Sequence, residues 1–206
     1  LLGVAPVRKA AIEVELLVRA LEALSKDRRG LLDRAILLVG FAGAFRRSEL
    51  VALNVEDLEF TSEGATITVR RSKTDQEGAG RKLALPKGRH GATCPVEALR
   101  AWLASAGIAS GAVFRAVSRR GRVSDRRICA LTVARIVKRA ARTVGLDPTT
   151  VAGHSLRSGF CTRAARAGKS ERCIMRQTGH RSVEMVHRYV REAGLFRDHP
   201  GDGLGL

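Results

Sequence analysis

Tyr189 is the single tyrosine of the chain and stands nine residues after His180, in the run Thr178-Gly179-His180-Arg181-Ser182-Val183-Glu184-Met185-Val186-His187-Arg188-Tyr189. A free phenol loses its proton near pH 10, so only about one in a thousand is ionised at pH 7. It becomes a usable nucleophile among cations that stabilise its oxyanion, or beside a group that takes its proton. His154, Arg157 and His180 lie upstream, and Arg46 and Lys73 farther back. Such a set suits a site that cuts and rejoins a phosphodiester. The transition state of phosphoryl transfer spreads negative charge over its oxygens, which two fixed bidentate guanidiniums can stabilise. Arginines would then do the work that Mg²⁺ does elsewhere, and Asp75, Glu77, Asp125 and Asp147 are scattered rather than clustered for a metal. No cofactor and no metal is expected.

Taken singly, most of these residues have ordinary readings. Arg46 could be a snorkelling side chain or the ion-pair partner of Glu49 at i+3. Lys73 could be a solvated turn lysine, His180 a loop histidine after a helix C-cap, and Tyr189 a half-buried core tyrosine. His154 and Arg157 share a face of one helix at i and i+3, where both could address one phosphate; the competing account is a helix N-terminus with His154 as cap and Arg157 in solvent.

The elements that must position them read as helices with a small antiparallel sheet inserted, a mainly α, α+β class. Residues 9–24 carry Ile12, Leu16, Leu17, Leu21 and Leu24 at helical spacing, and residues 30–45 form a more apolar, central helix. Alternation in residues 65–69 and 82–85, together with residues 58–60, predicts three short strands, with the Gly-rich stretch 72–80 as a hairpin loop around Lys73. Pro95 opens a helix that ends near Gly107. Thr132 can cap another, which stops at Gly145. Short helices over residues 154–167, 170–177 and 182–191 carry the reactive candidates.

Composition narrows the partners. The 206 residues include 37 Lys and Arg against 20 Asp and Glu, a net charge of +17 with a pI near 11.2. That balance calls for a polyanion, and basic residues spread over folded segments favour nucleic acid over a membrane surface. No apolar run reaches spanning length, since Arg34 and Arg46 bracket the longest. Without an initiator Met or a secretory signal pattern, the chain is expected to be a fragment of an intracellular protein. Cys94, Cys129, Cys161 and Cys173 form no C-x-x-C pair and read as thiols in a reducing compartment.

The string Gly43-Ala44-Phe45-Arg46-Arg47-Ser48-Glu49-Leu50, then Lys73 in a hairpin, then His154-Ser155-Leu156-Arg157, then Gly179-His180, then Tyr189, resembles the catalytic domain of the tyrosine recombinase (phage integrase) family. The resemblance implies a role for each residue. Arg46 and Arg157 match the two phosphate-clamping arginines, Lys73 the lysine that protonates the leaving 5′ oxygen, and His154 a proton-transfer and positioning group. His180 matches the residue that hydrogen-bonds the phosphate, Glu49 an acidic buttress, and Tyr189 the nucleophile that takes the 3′ phosphate. It implies double-stranded DNA as substrate, a synaptic tetramer as the working assembly, and action in the bacterial cytoplasm at the nucleoid. It divides the chain into a linker remnant over residues 1–9, a catalytic domain over 10–192 and a flexible tail over 193–206. Arg70, Arg71, Arg81, Arg119, Arg120, Arg122, Arg163, Arg181 and Arg188 are the candidates for gripping DNA phosphates, contacts that fix register and carry little sequence information. A type IB topoisomerase, a catalytically silent DNA-binding protein and a basic structural nucleic-acid protein are the competing readings.

Overall fold

The computed structural model describes residues 9–70 and 80–193, which form eight α-helices and five short strands. Helix α1 (Val14–Glu22) is followed by α2 (Arg28–Ala42), which starts where the Asp27 carboxylate accepts the Gly30 N–H at 2.9 Å. That side-chain cap satisfies one of the donors a helix N-terminus leaves open. Ala35, Ile36, Leu37 and Val39 are fully enclosed, so α2 is apolar around most of its girth and lies at the centre of the core. It packs against α4 (Pro95–Ala106), α5 (Ala130–Thr143) and α6 (Ser155–Arg166). Where α6 meets α2 and the segment before α1, a Cβ on Gly159 would lie 2.9 Å from the Phe41 ring and 2.2 Å from the Ile12 carbonyl oxygen. Only glycine lets α6 come this close.

The anticipated sheet is present. Strand β1 (Leu58–Phe60) pairs with β2 (Gly64–Val69), which pairs with β3 (Arg81–Pro86), both antiparallel. Ala65, Ile67 and Val69 on β2, with Leu83 and Leu85 on β3, are buried, as period-two alternation requires. Val69 faces Arg81 across the last pair before residues 71–79, so Arg71 and Lys73 lie outside the described residues. Helix α4 has Pro95 at its first turn and Gly107 in the left-handed conformation after it, φ 64°. Trp102 from this helix is wholly buried and donates its indole N–H to the Val113 carbonyl at 2.8 Å.

Three features differ from the sequence expectations. Arg47–Ala52 form a short helix, α3. Strands β4 (Arg115–Val117) and β5 (Val123–Arg127) make a second hairpin, which the run Val123-Ser-Asp-Arg-Arg hides because it lacks apolar alternation. Helix α5 begins at Ala130 with Cys129 as N-cap, and Thr132 sits one turn inside with its hydroxyl 3.5 Å from the Cys129 sulfur.

Helices α7 (Glu171–Thr178) and α8 (Val183–Ala193) close the described chain against α6. They share a smaller apolar cluster of Cys161, Ala165, Ile174, Val186 and Tyr189. Ser170 caps α7 by accepting the Cys173 N–H. No helix among the described residues is long and apolar enough to cross a membrane.

Candidate active site

Arg157 is the buried centre of the site. It lies on the first turn of α6, three residues after His154, the N-cap, and is 1% exposed. Its Nη1 donates to the carbonyls of Ala44 at 2.7 Å and Thr178 at 2.6 Å. Ala44 presents that carbonyl from a left-handed backbone, φ 49°, a conformation a residue with a Cβ seldom adopts. Nη2 of Arg157 is buried and has no hydrogen-bond partner among the described residues. Burial, followed by the charge of Arg46, lowers the Arg157 pKa to about 10, so the group stays a cation at neutral pH. A buried cationic donor without a partner costs free energy, and an anion is the natural complement to it.

Glu49 organises a second layer. Its carboxylate, 2% exposed at the residue, accepts from the Arg46 backbone N–H at 3.0 Å, Arg46 Nη1 at 2.6 Å and Arg81 Nη2 at 3.1 Å. Arg46 is the N-cap of α3, so the short helix fixes the spacing between the arginine and its buttress. Arg81, grouped by sequence with the DNA grip, turns inward instead. Its Nη1 donates to the Gln177 carbonyl at 2.9 Å, tying β3 to the end of α7, and its desolvation lowers its pKa.

His180 follows Gly179, whose left-handed backbone, φ 68°, ends α7 and turns the chain back toward Arg157. His180 is buried, and its Nδ1 lies 2.8 Å from the Thr178 hydroxyl. Desolvation, then the charges of Arg157 and Arg46, and further off His154 and Arg188, push its pKa down to about 3. His154 is open to solvent on one side, yet enough protein surrounds it for desolvation to lower its pKa too, with Arg157, Arg46, Arg188 and Arg47 adding to the effect. Both imidazoles are therefore neutral at pH 7. Tyr189 sits on α8 in the same apolar cluster as Cys161, one turn beyond Arg157, with the Arg188 guanidinium 5.2 Å from its ring centre. Next to Arg157, the Cys161 thiol is pushed up to about 11 by burial and is inert at neutral pH.

Arg46, Glu49, His154, Arg157 and His180 are thus brought together from three separate stretches of chain, with Arg188 and Tyr189 on the helix packed beside them. Sequence reasoning missed Thr178, whose carbonyl and hydroxyl hold Arg157 and His180; a Thr before Gly-His carries no signal of that kind by itself. Of the grip candidates, Arg119, Arg120, Arg122 and Arg181 are exposed. Arg70 pairs with buried Asp57 at 2.5 Å while most of its side chain stays open. Arg163 is turned toward α1, where it approaches Glu15 at 3.9 Å while most of its side chain stays open. A cleft of about 890 Å³ between α2, β5 and α5 contains none of the catalytic candidates; its buried Asp33 is paired with Arg139.

The model of the phage integrase family matches residues 11–194. Similar curated proteins include an integrase/recombinase xerD homolog of Selenomonas ruminantium, 45% identical over 169 residues that make up 82% of this chain and 50% of the relative. The tyrosine recombinase XerC of Syntrophus aciditrophicus (strain SB) is 32% identical over 180 residues, 80% of this chain and 50% of that protein. The chain spans about half the length of these relatives. Among solved structures, the XerH site-specific recombinase bound to palindromic difH substrate superposes with a TM-score of 0.71 at 16% identity, covering 91% of this chain and 51% of that one. The XerA recombinase gives 0.66 at 24% identity, covering 92% and 61%. These two likenesses establish the fold.

Proposed function

The chain belongs to the phage integrase family, and on that premise we propose that it cuts and rejoins double-stranded DNA through a covalent phosphotyrosine on Tyr189. The observation that carries the reading is the buried Arg157 guanidinium, whose Nη2 has no partner among the described residues, ringed by Arg46, His154 and His180. Arg157 and Arg46 clamp the nonbridging phosphate oxygens and stabilise the charge that grows on them in the transition state. The Tyr189 oxygen attacks phosphorus, its proton passes to a neighbouring base such as neutral His154, and the 5′ oxygen leaves. Lys73, outside the described residues, is the acid assigned to that leaving oxygen by family resemblance. Glu49 acts at one remove by holding Arg46. The phosphotyrosine conserves the bond energy, so attack by another 5′ hydroxyl reseals the strand without ATP or metal. The catalytic unit of this reading spans residues 10–192, works on DNA as a synaptic tetramer, and acts in the bacterial cytoplasm at the nucleoid.

The test uses the full chain and a pool of nicked duplexes of randomised sequence, in excess EDTA, scored for a protein–DNA adduct that survives denaturation. The wild type is expected to form it and Tyr189→Phe to form none, with DNA affinity unchanged within about twofold because no positive charge is lost. Arg157→Ala is expected to slow adduct formation on the order of a hundredfold or more. Equal adduct from wild type and Tyr189→Phe would remove Tyr189 as nucleophile.

A further inference from the structure

Thr178 has one hydroxyl proton and three polar neighbours, two of them at 2.8 Å and the Met175 carbonyl oxygen at 3.5 Å. Its oxygen lies 2.8 Å from the Ile174 carbonyl oxygen, one turn back on α7, and 2.8 Å from Nδ1 of His180. A carbonyl oxygen only accepts, and two oxygens 2.8 Å apart repel unless a proton lies between them, so the hydroxyl proton goes to Ile174, with the Met175 carbonyl at 3.5 Å drawing it the same way. The second contact is then a hydrogen bond only if Nδ1 carries a proton and donates it to the Thr178 oxygen. Thr178 is fully buried, so both bonds lie where leaving either group unpaired is costly. A neutral imidazole has a single N–H, and with that proton on Nδ1 the other ring nitrogen, Nε2, is a bare acceptor. A phosphoryl oxygen is an acceptor as well, so a neutral His180 in this form has the wrong polarity to bond one.

We propose that Thr178 is a positioning residue that fixes His180 in its Nδ1–H form, and that His180 bonds a phosphoryl oxygen by taking up a proton on Nε2 as the anion arrives. The first half stands on the hydrogen-bond chain alone; the second rests on the phosphodiester reading above. The step balances simply: solvent supplies one proton, the neutral ring becomes an imidazolium, Nδ1–H stays on Thr178, and the new Nε2–H donates to oxygen. The groups acting on the ring are Arg157 and His154 from α6, Arg46 from the turn before α3, and Arg188 from α8. All are cationic or can become so, and they oppose the extra proton until an anion among them offsets their charge. Thr178 thereby serves both halves of the site, since its carbonyl holds Arg157 Nη1 at 2.6 Å while its hydroxyl holds the histidine.

Sulfate is the probe, because it stays a dianion over the working range and any proton taken up must be the protein's. Imidazole ¹⁵N spectra of the full chain are recorded from pH 6 to pH 8 with and without sulfate, and His180→Gln assigns the resonances. The expected result is the Nδ1–H tautomer without sulfate, protonation of Nε2 with it, and a sulfate affinity that falls up to tenfold per pH unit, the limit for one linked proton. Thr178→Val replaces the hydroxyl with a methyl of the same shape and should release the ring to the Nε2–H tautomer, abolishing the pH dependence. Thr178→Ser should restore both. An Nε2–H tautomer in the wild type, or an unchanged tautomer in Thr178→Val, would overturn the positioning role. Sulfate that binds without proton uptake, or does not bind, would overturn the coupling. Should Thr178→Val fail to fold, the wild-type and Thr178→Ser spectra decide the tautomer. Failure of the Tyr189 adduct leaves these spectra standing, so the two readings fall separately.

Discussion

Burial and the surrounding cations press in one direction on His180, and the consequence is a pH-dependent stability. In the unfolded chain its imidazole takes a proton near pH 6.5, whereas in the folded chain it resists until about pH 3. Below pH 6.5 the unfolded state therefore binds the proton and the folded state does not, so acidification favours unfolding. The stabilising contribution is complete above pH 6.5 and is lost as pH falls toward 3. Its slope is at most about 1.4 kcal/mol per pH unit for one such group. His154 is lowered in the same direction and adds to the trend. Urea midpoints measured at pH 7.5 and pH 5 should fall further for the wild type than for His180→Gln, which has no proton to gain. Equal falls would mean that His180 titrates normally in the folded protein.

At the scale of elements, the site depends on how closely α6 approaches α2, because Arg157 reaches the Ala44 carbonyl only from that depth. Gly159→Ala would place a methyl 2.9 Å from the Phe41 ring of α2 and 2.2 Å from the Ile12 carbonyl oxygen in the segment before α1, a backbone atom that cannot swing aside. We expect a loss of about 1–3 kcal/mol in urea unfolding, typical of overpacking, and a variant within about 0.5 kcal/mol of wild type would show that α6 can draw back cheaply from α2 and the Ile12 segment. The placement of α6, α7 and α8 was legible in sequence because capping residues and apolar spacing act locally: Ser170 caps α7, and Gly179 ends it. His154 and Arg157 fall at one end of α6, three residues apart, with His154 as its N-cap and Arg157 buried rather than in solvent. What could not be read depends on partners distant in sequence. Arg81 turns inward because Glu49, 32 positions away, is buried beneath it. Strand β5 exists because β4 pairs with it, and its own residues look like a solvated charge run. The role of Thr178 lies in a hydroxyl direction that no spacing rule encodes.

Over the whole molecule, a net charge of +17 makes binding to a polyanion a question of which arginines are free to offer their charge. The β4–β5 hairpin divides its own arginines sharply. Arg127 donates to the carbonyls of Val51 at 2.5 Å and Leu53 at 2.9 Å and to the Asn54 side chain at 2.6 Å, so it ties the hairpin to the end of α3. Arg115 is likewise engaged with the Ala112 and Ser110 carbonyls and Asp125. Arg119, Arg120 and Arg122 are exposed at the turn between the strands. Under the DNA reading, these three are the ones that displace counterions, each phosphate neutralised contributing about 0.9 to the slope of log affinity against log salt. Replacing all three by alanine should therefore flatten that slope by about two to three on random-sequence duplex DNA while leaving the melting temperature nearly unchanged. Arg127→Ala should do the reverse, lowering the melting temperature and sparing the slope, because its guanidinium is already spent on backbone carbonyls. If Arg127→Ala flattened the salt slope as much as the triple variant, the hairpin would be meeting DNA along its strands rather than at its turn.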